Sequence, residues 1–179
     1  MKKKTYDLAL TGVLTALLMA GSFVRIPLPG GVPLTLQLFF VLLGPALLGV
    51  RGMLPSLLYL LLGLAGLPVF SGGGGPGYLF SPTFGYLLGF VAGSWLAGYL
   101  YPKSPSFGRE LGALLCGVAL VYGVGGLWFY VMKNVYLAAP VSLSQVFLFG
   151  ILPFLPGDIL KALAVTLIVR KIPAYYKKG

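Results

Sequence analysis

The 179-residue sequence has no histidine, one cysteine and three acidic residues, Asp7, Glu110 and Asp158. The missing histidines exclude serine–histidine catalysis and imidazole metal clusters. Cys116, the lone cysteine, excludes an intrachain disulfide and a thiolate cluster. Charge is scarce as well: 9% of residues carry it, against about 25% in a soluble domain. So few charges cannot cover a surface that faces water. Apolar residues take their place, at 58% of the chain with a mean hydropathy of +0.96. The 27 glycines and 14 prolines fit the same setting, because both types are commoner in transmembrane helices than in soluble ones. The composition describes an all-α membrane protein, a single integral membrane domain over residues 1–179.

The net charge of +10 does not point to nucleic acid, because the basic residues form no stripe. They stand at the chain ends and between apolar runs. Apolar runs long enough to cross a bilayer fall at 7–24, 34–50, 52–68, 84–101 and 111–132, with a last one ending near 170. Residues 141–170 are apolar throughout but broken by Pro153 and Pro156, so 141–152 is either part of a kinked span or a partly inserted segment. The second and third spans are joined by "GVRG", which suits a tight helical hairpin. Asp7 interrupts the first apolar run near its start, which argues for a retained helix rather than a cleaved leader.

Six spans leave both termini on one side. If that side is the cytoplasm, its segments hold Lys2, Lys3, Lys4, Arg51, Lys103, Arg109, Arg170, Lys171, Lys177 and Lys178. The outer loops hold Arg25 and Lys133, and Lys161 lies within a span. Such a bias fixes the orientation by the positive-inside rule. Loop one, "RIPLPGGVPLT", and loop three, "PVFSGGGGPGYLFSPT", then lie outside, and the second of these has 16 residues without a charge. The glycine run at 72–75 is no phosphate loop: no lysine follows, no strand precedes, and the side is wrong. A lid or a closely packed loop suits it better.

Asp7 and Glu110 fall at cytoplasmic ends of spans, where water and headgroups can solvate them. Asp158 does not. It and Lys161 share one face of the last helix, in its first turns and in the outer part of the membrane. A charge in the hydrocarbon costs about 2.5–3.5 kcal/mol even on lenient scales, so it faces the protein interior or a cavity. The pair is either a self-neutralising cap or the polar floor of a pocket open to the outside. Gln37 and Thr83 start spans at the same level, and each suits a helix-to-helix hydrogen bond or a ligand contact. Phe84, Tyr86 and Tyr122 offer apolar walls, Arg25 ends the first helix, and Trp128 suits a belt or the core. Gly12, Ala16 and Ala20, four residues apart, form a small-residue stripe that serves either internal packing or a partner.

These residues together resemble the BioY family, the biotin-specific S components of energy-coupling factor (ECF) transporters. The matching segments are "VPLTLQLFFVLLGPALLG", "LYLLLGLAGLPVFSGG", "SPTFGYLLGF" and, most specific, "LPFLPGDILKA". The resemblance implies six helices with cytoplasmic termini and a pocket that binds biotin from outside, with outer loops one and three as lid. It implies partners too: a transmembrane coupling subunit and two ATPase subunits, with no cofactor on this chain. It maps ligand contacts to Asp158 and Lys161 and the docking face to Gly12, Ala16 and Ala20. The chain departs from the family at "PTFGY", where Phe84 adds bulk after the Pro–Thr pair. A standalone channel or facilitator is the alternative; it needs a polar stripe below Lys161, where "ALAVTLIV" offers only Thr166. An intramembrane enzyme would need a second buried acid or a histidine.

Overall fold

A computed structural model describes residues 2–27, 32–104 and 106–172, which are mostly helical. Helix α1, Lys2–Phe23, buries Leu14 and Leu18 while turning Gly12, Ala16 and Ala20 outward. Thr11 and Thr15 sit on its buried face because each hydroxyl is satisfied within the helix. Thr11 donates to the Asp7 carbonyl at 2.7 Å and Thr15 to the Thr11 carbonyl at 2.8 Å.

The all-α expectation meets one exception. Strand β1, Arg25–Ile26, pairs antiparallel with β2, Leu34–Thr35, in a two-stranded ribbon. Residues 28–31 lie outside the described residues, and with them the middle of the expected loop-one lid; Lys177 and Lys178 lie outside them as well.

Helices α2, Gln37–Leu48, and α3, Met53–Leu64, form the hairpin that "GVRG" suggests. The apolar stretch Gln37–Leu64 would be long enough to cross a membrane if straight. It is folded back instead, for Gln37 Nε2 lies 2.7 Å from Tyr59 Oη, 22 residues further along. The reversal turns on Gly49, whose φ of 58° lies in the left-handed region that glycine enters freely. Two other stretches, Lys4–Phe23 and Phe107–Tyr136, are long and apolar enough to span.

Helix α4, Phe84–Leu100, runs through the middle of the bundle and packs along α5, Phe107–Val131. The contact is made by Gly85, Gly89, Gly93 and Ala97, one per turn. A methyl group on Gly93 would lie 2.6 Å from the Gly117 carbonyl oxygen, and one on Gly117 2.7 Å from that of Gly93. The two backbones touch, which only small residues allow.

Helix α6, Leu143–Gly150, begins with a capping box formed by Ser142 and Gln145. It meets α7, Leu155–Lys171, at a bend of 50°. The uncertain stretch before Pro153 is thus a short helix of its own. Pro156 occupies the first turn of α7, where its missing N–H breaks no bond.

At the end of the bundle away from the ribbon, Asp7 and Glu110 are not left to solvent as the sequence suggests. They are 7% and 6% exposed, and each is paired: Arg51 with Asp7 at 2.7 Å, Arg170 with Glu110 at 2.9 Å. These pairs tie α1 to the hairpin turn and α5 to the end of α7.

Candidate functional site

The third acid completes the set. Asp158 stands in the first turn of α7, 5% exposed, and makes no helix-capping bond. Its carboxylate is instead held by side chains. Tyr122 Oη donates to Oδ2, and Lys161 Nζ donates to Oδ1 at 2.7 Å. Lys161 also donates to the Thr35 carbonyl of β2 at 2.7 Å. Two of the three ammonium protons are therefore committed and one is left over. Each carboxylate oxygen keeps a free lone pair. A solute meeting this floor finds an acceptor and a donor side by side.

The hydrogen bonds continue upward. Thr35 Oγ1 donates to Gln37 Oε1 at 3.0 Å, Gln37 Nε2 to Tyr59 Oη at 2.7 Å, and Tyr59 Oη to the Val69 carbonyl at 2.9 Å. Side chains and backbone from α7, β2, α2, α3 and loop three thus join in one chain. Another set closes the opposite wall: Tyr78 and Ser81 share hydrogen bonds with Thr83 Oγ1, at 3.1 and 2.8 Å. Tyr86 Oη donates to the Gly150 carbonyl at 2.9 Å, holding α6 against α4.

Thr35, Gln37, Tyr78, Thr83, Tyr86, Tyr122, Asp158 and Lys161 line an inner cavity of about 70 Å³, whose apolar wall is chiefly Leu38, Leu87, Phe90, Val121 and Phe154. Beyond it lies an open cleft of about 860 Å³ beneath the loops, to which Arg25, Gly72 and Phe80 contribute. Pro33, Ser71, Tyr78 and Thr83 belong to both and form the partition between them. Loop three is closely packed here, as its glycines suggest. Gly74 backs onto the Leu67 carbonyl, and Gly75 N–H donates to the Gly63 carbonyl at 2.7 Å.

Six of the eight pocket residues expected from sequence line the inner cavity: Gln37, Thr83, Tyr86, Tyr122, Asp158 and Lys161. Arg25 lines the outer cleft instead. Phe84 does neither; 2% exposed, it packs against Trp128 with ring centres 5.5 Å apart. The bulk that departs from the family pattern is turned into the core. Trp128 in turn donates to the Ser81 carbonyl at 3.1 Å and so anchors loop three. Nothing in the sequence distinguishes Tyr59 and Tyr78 among the 11 tyrosines, so their place beside the site shows only in the fold.

Of the stripe on α1, Gly12, Ala16 and Ala20 are all exposed, and among the described residues no atom lies within 4 Å of a methyl group placed on Gly12. Internal packing does not explain it. Below the cavity, α7 buries Ala162, Val165 and Val169, and the Thr166 hydroxyl donates to its own helix at Ala162, 2.9 Å away.

An apolar helical bundle with a charged, hydrogen-bonded cavity near one end defines a membrane protein built to hold a small solute. Comparison with known proteins narrows the class. The sequence pattern of the BioY family matches residues 1–178, and the chain belongs to that family. A probable biotin transporter BioY of Lysinibacillus sphaericus is 38% identical, over 99% of this chain and 92% of that protein. A biotin transporter BioY of Thermotoga maritima is 37% identical, over 90% of this chain and 92% of that protein. The crystal structure of the S-component for biotin from an ECF-type ABC transporter superposes with a TM-score of 0.81 at 30% identity, covering 99% of this chain and 98% of that one.

Proposed function

We propose that this chain is the biotin-binding subunit of an ECF-type transporter of the cytoplasmic membrane, taking up the vitamin while partner subunits hydrolyse ATP. It is a transport protein and not an enzyme. The observation that carries the reading is the Tyr122–Asp158–Lys161 group at the floor of the inner cavity. Biotin's fused ureido ring presents two N–H donors and one carbonyl acceptor. The spare lone pairs of Asp158 suit the N–H groups, and the spare proton of Lys161 suits the carbonyl. The tail passes the partition at Tyr78 and Thr83 into the outer cleft, where Arg25 meets its carboxylate. Lys133, the other outer cation, sits over the Phe129 ring at 5.7 Å. A pocket that holds a small ligand usually measures about 300–1,000 Å³, so the inner cavity takes the head group only when Tyr78 and its neighbours yield.

In this reading α1 to α5 each cross the membrane once, and the bent α6–α7 pair makes the sixth crossing. Both termini are cytoplasmic, which agrees with the ten cations on that side. The ribbon and loop three form the lid. The exposed Gly12–Ala16–Ala20 stripe is the docking face for the coupling subunit, with two ATPase subunits beyond it. A standalone facilitator is disfavoured by the apolar residues below Lys161 and by the internally bonded Thr166.

Purified protein is expected to retain biotin. Asp158→Asn removes the charge from two hydrogen bonds worth about 1.5–3 kcal/mol each, so affinity should fall about 100-fold or more while the protein stays monodisperse. Unchanged binding in isothermal titration would sink the assignment.

A further inference from the structure

We infer that Tyr59 is a positioning residue that sets which end of the Gln37 amide the cavity presents. The inference deepens the biotin reading and rests on it. Tyr59 does not line the cavity; it is 1% exposed, in the core face of α3. Its hydroxyl has one proton, and the Val69 carbonyl, 2.9 Å away, can only accept. That proton is therefore spent on loop three. Ser22, the other hydroxyl beside Tyr59, gives its own proton to the Met19 carbonyl at 2.7 Å. Whatever Gln37 turns toward Tyr59 must donate, so its NH₂ group faces α3, at 2.7 Å. The carbonyl end is then directed to Thr35, whose hydroxyl donates to it at 3.0 Å.

An amide has nearly the same shape either way round, so sterics alone cannot choose between its two orientations. Here the choice is made by a backbone carbonyl of loop three, passed on through one phenol. With Tyr59 in place, Gln37 has one N–H and one Oε1 lone pair uncommitted, both in fixed positions. Without the hydroxyl the amide can turn over, because Thr35 Oγ1 accepts as readily as it donates. The site would then offer a ureido group both patterns and discriminate less between ligands of the same shape.

The test compares biotin with 2-iminobiotin, in which a protonated nitrogen replaces the ureido oxygen. Tyr59→Phe keeps the ring, and with it the edge contact to Phe70 at 5.3 Å. Biotin affinity should fall roughly tenfold, and the preference for biotin over iminobiotin should shrink by a similar factor. In a Gln37→Ala background the same substitution should change neither quantity, since the amide it orients is gone. Equal weakening of both ligands, or an undiminished effect in the Gln37→Ala background, would overturn the positioning role while leaving the biotin reading intact. A wild-type protein that binds no biotin would overturn both.

Discussion

Two stripes of small residues run along this bundle, with opposite uses. On α4, Gly85, Gly89, Gly93 and Ala97 are covered by α5 so closely that backbone meets backbone. On α1, Gly12, Ala16 and Ala20 repeat the same spacing but are exposed, and among the described residues nothing lies within 4 Å of a methyl group placed on Gly12. Between helices in lipid there is no hydrophobic drive to associate, and close approach through small residues takes its place. The pattern therefore states only that a helix can be approached closely. Which helix approaches it is decided elsewhere. For α4 the answer is α5 of the same chain; an outward stripe of the same make fits a helix of another.

Substitution separates the two. The largest effect is expected for Gly93→Leu, which drives a side chain into the Gly117 carbonyl. Overpacking of this kind costs about 3 kcal/mol, a Tm loss of roughly 6–12 °C in detergent, and an unchanged melting curve would contradict the contact. Ala16→Trp, on the outward stripe, should leave Tm and biotin binding as they are while abolishing co-purification with the coupling subunit. Retained co-purification would move the docking face off this stripe. Least affected should be Gly12→Ala, which meets open space and replaces glycine in a helix, so Tm should stay constant or rise by a few degrees. A fall would mean that Gly12 is already packed.

The acids repeat the lesson in electrostatic form. All three are paired, but Arg51 and Arg170 keep 59% and 39% of their side chains exposed, whereas Lys161 keeps 15%. A pair with one partner in water contributes little, and its loss is screened. The Asp158 pair has no such relief, and its dependence on Tyr122 and the Thr35 carbonyl follows from that.

That contrast also marks what could be seen in advance. Asp158 and Lys161 were legible because intramembrane charge is rare and expensive, so two charges three residues apart must face something polar. The hairpin was legible from "GVRG" within an apolar run. The α4 stripe went unseen although it is longer than that on α1, for glycine is abundant in the chain and its spacing carries no label of use. Strands of two residues leave no periodicity to detect, so the Arg25–Thr35 ribbon was invisible. Tyr59 owes its place to a partner 22 residues away and a carbonyl in a loop. Phe84 failed for a related reason: a residue at a helix start has a direction that sequence spacing alone does not give.

The short arms of the hairpin bear on the membrane itself. Helix α3 has 12 residues, about 18 Å of rise, and it presents Leu54, Leu58 and Leu61 outward. Helix α1 has 22 residues, about 33 Å, close to the thickness of the hydrocarbon. If α3 crosses the membrane as proposed, a bilayer around this protein meets a low wall on one flank and a full one on the other. Lipid beside α3 must thin or tilt to match, at a cost of a fraction of a kcal/mol per ångström. Any neighbour that covers the low flank relieves that deformation, so the lipid itself biases how the subunit leans and which side it turns to company.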